Sequence, residues 1–222
     1  MPRVLIFDVN ETLLQLNGLD PLFERIFGDA SVRQLWFQQL LQSAMVSTIT
    51  RHYSDFTSIG RAALHMTAER RGKSLSDDET QELLSGVTKL EPYPEVAPSL
   101  ERLRVAGFRL AALTISKQET LEAQLRYAGI RELFEQALSA DSVKRLKPAP
   151  EPYHMAAERM SASVGDCRMI AAHAWDVMGA MSAGLAAAFV ARPNMVLDPL
   201  GDRPDIVGKD LAEVAEQIIR QG

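Results

Sequence analysis

Val4-Leu5-Ile6-Phe7 is apolar at every position and ends on the carboxylate of Asp8. A strand with one wet face alternates apolar and polar residues, so an unbroken run belongs in a parallel sheet covered on both faces. Similar short apolar runs return at 108–113, 136–139, 168–172 and 186–191. Helical stretches separate them, carrying Val96, Leu100 and Leu103, then Leu121 and Leu125, then 151–160, 176–183, and a last stripe of Leu211, Val214 and Ile218. Gly107, Gly129 and Gly184 close three of these helices. Strand and helix in this alternation predict right-handed crossovers and a doubly wound parallel α/β sheet with a Rossmann-like core.

The alternation fails once. From about Leu19 to Ser85 the pattern is helical throughout. Leu19, Leu22, Phe23, Ile26 and Phe27 share one stripe, Val32, Leu35, Trp36, Leu40 and Leu41 a second, and Phe56, Ile59, Ala63 and Met66 a third. Ser76-Asp77-Asp78-Glu79 is a capping box that announces a fourth helix. The expected organisation is a core of residues 1–14 and 93–222 and a helical cap of residues 15–92, with the return hinge at Pro92, Pro94 and Pro98.

The chain has 222 residues, 24 basic and 29 acidic side chains for a formal charge of −5, and a single cysteine. That length suits one domain with an insert. The acidic balance, with no basic run longer than Arg70-Arg71, argues against nucleic acid as a partner. Cys167 alone can form neither an intrachain disulfide nor a cysteine-based zinc site. No apolar stretch is long enough to span a membrane, and the start of the chain lacks a cleavable leader pattern, so a cytoplasmic protein is expected.

Open parallel sheets bind ligands beyond the carboxyl ends of their strands. Asp8, Thr114, Lys147 and Asp176 follow strands or open helices there, giving two carboxylates, a hydroxyl and a cation in one crevice. A lysine beside a carboxylate keeps it ionised, and hydroxyls orient it, as a nucleophile requires. Tyr153 and Trp175 suit either core packing or a pocket wall, while His52, His65 and His154 suit surface positions.

Phe7-Asp8-Val9-Asn10-Glu11-Thr12-Leu13-Leu14, Leu113-Thr114, Lys147-Pro148 and Ala174-Trp175-Asp176 resemble, in order, the four motifs of the haloacid dehalogenase superfamily. Tyr153 after Lys147-Pro148, and Gly179-Ala180 after Asp176, are similar to the L-2-haloacid dehalogenase branch. The resemblance implies that Asp8 displaces halide from a short (S)-2-haloacid, and that water hydrolyses the resulting ester to the (R)-2-hydroxy acid. It further implies that Thr12 and Lys147 hold Asp8, Thr114 with nearby N–H groups receives the substrate carboxylate, and Asp176 helps to activate water. Val9, Asn10, Phe37, Leu41, Ile115, Tyr153 and Trp175 are then expected beside the substrate, with Met45 in the lid. No metal or other cofactor is implied, and the family's habit suggests a homodimer packed through cap helices.

This chain departs from the branch at four positions. Phe37 stands where the family places an arginine, Ile115 where it places an asparagine, and Ala171 and His173 where it places a serine and an asparagine. His173 suits two roles, a general base for ester hydrolysis or a substitute cation. Two other readings stay open: a magnesium-dependent phosphatase acting on a small phosphorylated metabolite, or a catalytically impaired homologue that binds small carboxylates. Asn10 has no titratable proton for a phosphate leaving group, and Ala171 and Ala172 offer no metal ligand, which weighs against the first of these.

Overall fold

The computed structural model describes residues 2–221. Six strands, β1 (Val4–Phe7), β2 (Arg109–Thr114), β3 (Gln136–Ser139), β4 (Cys167–Ala171), β5 (Ala186–Val190) and β6 (Ile206–Gly208), form one sheet in the order β3-β2-β1-β4-β5-β6. Every pairing is parallel. The helices are α1 (Asp20–Phe27), α2 (Val32–Thr50), α3 (Phe56–Arg70), α4 (Asp77–Gly86), α5 (Val96–Val105), α6 (Gln118–Tyr127), α7 (Pro150–Arg159), α8 (Ala174–Ser182) and α9 (Leu211–Gln221). The fold is the α/β class expected from the alternating pattern.

Alternate strand residues face opposite sides of a sheet, and both sides are covered here. Leu5, Phe7, Leu110, Ala112 and Ile170 enter one core with α5, α9 and the inserted helices. Val4, Ile6, Ala111, Leu113 and Met169 enter the other with α7 and α8. That two-sided burial is why β1 carries no polar residue.

Helices α1–α4 lie between β1 and α5. The chain leaves and re-enters side by side: Gln15 N–H donates to the Glu91 carbonyl at 2.8 Å and Tyr93 N–H to the Leu13 carbonyl at 3.0 Å. Burial on α2 runs along the i, i+4 row Val32, Trp36, Leu40, Ala44 and Thr48, with Arg33, Phe37 and Gln39 buried beside it. Leu35 lies off that row and is 47% exposed, and Met66 on α3 is 38% exposed, so neither belongs to the buried stripes expected of them. Gly60 lets α3 approach α2, because a Cβ there would lie 3.2 Å from Leu40 Cδ1. The Trp36 indole N–H donates to the Gly60 carbonyl at 3.0 Å across the same contact. The box at the start of α4 is closed in both directions, Glu79 N–H to Ser76 Oγ and Ser76 N–H to Glu79 Oε2.

Strand β6 was not expected. It is three residues long, follows the polar segment 201–205, and pairs only with β5 at the sheet edge, so it shows too little apolar pattern to announce itself. Among the described residues no helix is long and apolar enough to cross a membrane.

Candidate active site

Strand β1 sits between β2 and β4, with Phe7 level with Ala112 and Ile170. Asp8 therefore emerges at the carboxyl edge where the strand order reverses, and its N–H donates to the Ile170 carbonyl at 3.0 Å. The chain then turns tightly: the Val9 carbonyl accepts from the N–H groups of Leu13 and Leu14, and Glu11 takes a left-handed φ of 61°. This turn brings Thr12 back beside Asp8.

Thr12 Oγ1 donates to Asp8 Oδ2 at 2.7 Å and accepts from Ala172 N–H at 3.0 Å. Lys147, fully buried, spends all three of its donors: on Asp8 Oδ1 at 2.9 Å, on Asp176 Oδ2 at 2.6 Å and on the Leu113 carbonyl at 3.2 Å. The other Asp176 oxygen accepts from the Tyr153 hydroxyl at 2.6 Å. His173 places Nδ1 3.2 Å from Asp8 Oδ2 and Nε2 3.0 Å from Glu11 Oε2. Its ring stacks on Trp175, with centroids 5.2 Å apart, and lies 6.2 Å from Phe37. Asp8, Thr12, Lys147, His173 and Asp176 thus form one connected buried cluster.

The two carboxylates are not equivalent. Burial alone pushes both upward. At Asp8 the Lys147 ammonium, with His173 and the Thr12 hydroxyl, outweighs burial and holds the carboxyl well below the usual range. Asp176 stays above its ordinary value, because burial and the Asp8 charge together outweigh Lys147. Asp8 therefore holds its charge more firmly than Asp176 does. Burial lowers His173, but its contacts with Asp8 and Glu11 prevail and push the imidazole up to about 9. A carboxylate against each ring nitrogen favours the protonated ring at neutral pH.

A cleft of about 270 Å³ opens between the inserted helices and the sheet edge. Trp36, Phe37, Leu40 and Phe56 wall it, and Asn10 and Ser116 are polar groups within it. Asn10 Oδ1 accepts from Gln124 Nε2 at 2.9 Å, which fixes the amide. The Ser116 hydroxyl is buried and has no partner among the described residues, while Ser116 N–H donates to Thr114 Oγ1 at 3.2 Å. The cleft thus has an uncommitted hydroxyl at Ser116, next to the apolar Ile115. A second hollow, about 340 Å³, lies between the end of α2 and Leu146, and its Arg145 and Lys144 are already paired with Glu151 and Asp141.

The expected substrate neighbours separate into groups. Asn10 and Phe37 line the cleft. Leu40 lines it where Leu41 was expected; Leu41 and Met45 are half-buried on α2. Val9, Thr114 and Ile115 are buried close to the strand ends. Tyr153 is fully buried beneath Asp176 and so supports a carboxylate instead of walling the cleft. Trp175 packs on His173, and its indole N–H has no partner among the described residues. Sequence reasoning missed Glu11, although it stands inside the first quoted motif, Ser116, two residues after Thr114, and Arg33, one helical turn before Phe37. Among the described residues no group of three or more His, Cys, Asp or Glu side chains is placed to hold a metal ion.

Gly179 on α8 keeps the support beneath the carboxylates closed. A Cβ there would lie 2.6 Å from Pro148 Cβ and 2.7 Å from the Tyr153 hydroxyl oxygen. Gly179→Ala is expected to cost about 1–3 kcal/mol by overpacking. Urea unfolding should show the loss together with a fall in activity; an unchanged midpoint would contradict the packing argument.

Comparison with known proteins gives a consistent outcome. Residues 2–184 match the family model described as haloacid dehalogenase-like hydrolase. A protein of Pseudomonas fluorescens named (S)-2-haloacid dehalogenase is 27% identical over 217 residues, 96% of this chain and 95% of its own. The (S)-2-haloacid dehalogenase 4A of Burkholderia cepacia is 30% identical over 80% of this chain and 78% of its own. The structure of the L-2-haloacid dehalogenase of Xanthobacter autotrophicus with chloropropionic acid covalently bound superposes with a TM-score of 0.92, at 23% identity and with 98% of each chain covered.

Proposed function

The chain belongs to the haloacid dehalogenase-like hydrolases, and from that premise we propose that it hydrolyses a short (S)-2-haloacid to the (R)-2-hydroxy acid through an ester on Asp8. The observation that carries this reading is the buried Asp8 carboxylate, kept ionised by Lys147 and Thr12, two residues before Asn10, which lines the apolar cleft. Relatives named for the same activity align over nearly the whole chain.

In the first step an Asp8 oxygen donates its electron pair to C2 of the substrate from the side opposite the halogen. The carbon–halogen bond breaks, halide leaves with the bonding pair, and C2 inverts. Removing the acid from water into the cleft raises the nucleophile's reactivity, since water no longer solvates the attacking oxygen. The substrate carboxylate is received near Thr114 by the Ser116 hydroxyl and neighbouring N–H groups. With Phe37 at the arginine position, the His173 ring lies 6.2 Å from it and can supply positive charge on that side. In the second step water cleaves the ester, with Asp176 as the proton acceptor.

In this reading residues 15–92 serve as a cap over a core of 1–14 and 93–222, closing the cleft against water. The protein works in the cytoplasm without a metal and as a homodimer, the exposed Leu35, Val46 and Ile49 on α2 supplying apolar surface for a second copy. A phosphatase needs an acid at position 10, and the Asn10 amide is held by Gln124.

Mixing the protein with (S)- and (R)-2-chloropropionate is expected to release chloride from the S form alone. Intact mass after rapid quenching should show an adduct on the peptide containing Asp8. Chloride from neither form, or phosphate release that demands magnesium, would sink the reading.

A further inference from the structure

The two oxygens of Asp8 are held differently. Oδ1 faces one donor, the Lys147 ammonium at 2.9 Å. Oδ2 faces two, the Thr12 hydroxyl at 2.7 Å and His173 Nδ1 at 3.2 Å. Thr12 already accepts from Ala172 N–H, so its own proton points at Oδ2. His173 has a carboxylate against each ring nitrogen, and only the doubly protonated ring satisfies both.

Glu11 is what makes this possible. It occupies a left-handed backbone position that disfavours a side chain, and from there its carboxylate reaches both His173 Nε2 at 3.0 Å and Arg33 Nη1 at 3.7 Å. Arg33 is anchored in turn by Asp20, 2.5 Å from its Nε. A row of alternating charges, Asp20, Arg33, Glu11, His173 and Asp8, therefore runs from the inserted helices to the nucleophile.

Resting on the dehalogenase reading above, we infer that His173, positioned by Glu11, forms with Thr12 the oxyanion hole for hydrolysis of the Asp8 ester. Oδ1, the less encumbered oxygen, attacks C2 and becomes the ester oxygen; Oδ2 becomes the ester carbonyl. Water then adds to Cγ, and the carbonyl electron pair moves onto Oδ2, where Thr12 and the imidazolium already point. Collapse breaks the Cγ–Oδ1 bond. The departing alkoxide takes one water proton and leaves as the hydroxy acid, the second proton passes to Asp176, and the water oxygen completes a new Asp8 carboxylate. His173 gives charge where charge develops and gives up no proton, so its work is the opposite of a general base's.

The charged groups around His173 are Asp8 at the end of β1, Glu11 in the following turn, Arg33 on α2, Lys147 before α7 and Asp176 on α8. The net result favours the protonated ring up to about pH 9.

The experiment is single-turnover ester formation and hydrolysis with (S)-2-chloropropionate, followed by rapid quench and intact mass. His173→Ala and His173→Leu are expected to slow ester hydrolysis about 10²-fold while slowing ester formation much less, so that esterified enzyme accumulates. In the wild type, hydrolysis should fall as pH rises, with a midpoint below the free enzyme's value of about 9, because esterified Asp8 no longer lends His173 its charge. Glu11→Gln should move that fall to lower pH, which a merely structural role for Glu11 leaves in place. Hydrolysis that rises with pH over the same range, or that is unchanged in both His173 variants, overturns the inference while the dehalogenase reading stands. A wild type that forms no ester and releases no chloride overturns both.

Discussion

Asp8→Asn is expected to lower chloride release by at least about 10⁴-fold, the scale on which removal of a covalent nucleophile acts. The loss has two sources. An amide nitrogen is a far weaker nucleophile than a carboxylate, and its N–H group must face Lys147, Thr12 or His173, all of which are donors themselves. The fold should survive, because Asp176 still balances the Lys147 ammonium. His173 would lose one of the two carboxylates that hold its proton, so its pKa should drop in the variant. Chloride electrode measurements on enzyme with an unchanged circular dichroism spectrum provide the check. Residual turnover near wild type would remove Asp8 from the centre of the mechanism.

The sheet was legible because its strands carry their burial in their composition. Val4-Leu5-Ile6-Phe7 reads as two-sided from the residues alone, and the glycines at 107, 129 and 184 mark helix ends with left-handed backbone, as the structure has them. β6 was illegible because edge pairing decides it, and Ile206–Gly208 has no pattern of its own. The site divides in the same way. Asp8, Lys147 and Asp176 could be brought to one crevice by topology alone, since each follows a strand or opens a helix at the carboxyl edge. What topology cannot order is the two carboxylates, because one shared ammonium and unequal hydrogen bonds set their difference. Glu11 and Ser116 were passed over for a related reason: a glutamate in a turn and a serine before a helix look solvated until their surroundings are known. Tyr153, which suited either the core or a pocket wall, is buried with its hydroxyl on Asp176.

Lys147→Met should have the largest effect on stability. The ammonium is fully buried, and burial lowers its pKa, yet Asp176 and then Asp8 outweigh that and leave it raised. Its contribution is therefore complete at every pH below the ordinary lysine range and is lost only as pH rises through the folded-state value. Methionine keeps the volume but leaves Asp8 and Asp176 buried together without their shared cation, a change worth about 3–5 kcal/mol at neutral pH. The sign with pH follows from the carboxylates. Without Lys147 both should titrate above their unfolded values, so the variant gains by protonating them and is penalised increasingly as pH rises from about 4 toward neutrality. The stability gap from wild type should consequently be widest near pH 7 and narrow toward pH 4. Urea titrations of both proteins across that range would show it. A gap that does not change with pH would mean that Lys147 acts by packing and not by charge, and the electrostatic account of Asp8 as a held, ionised nucleophile would fall with it.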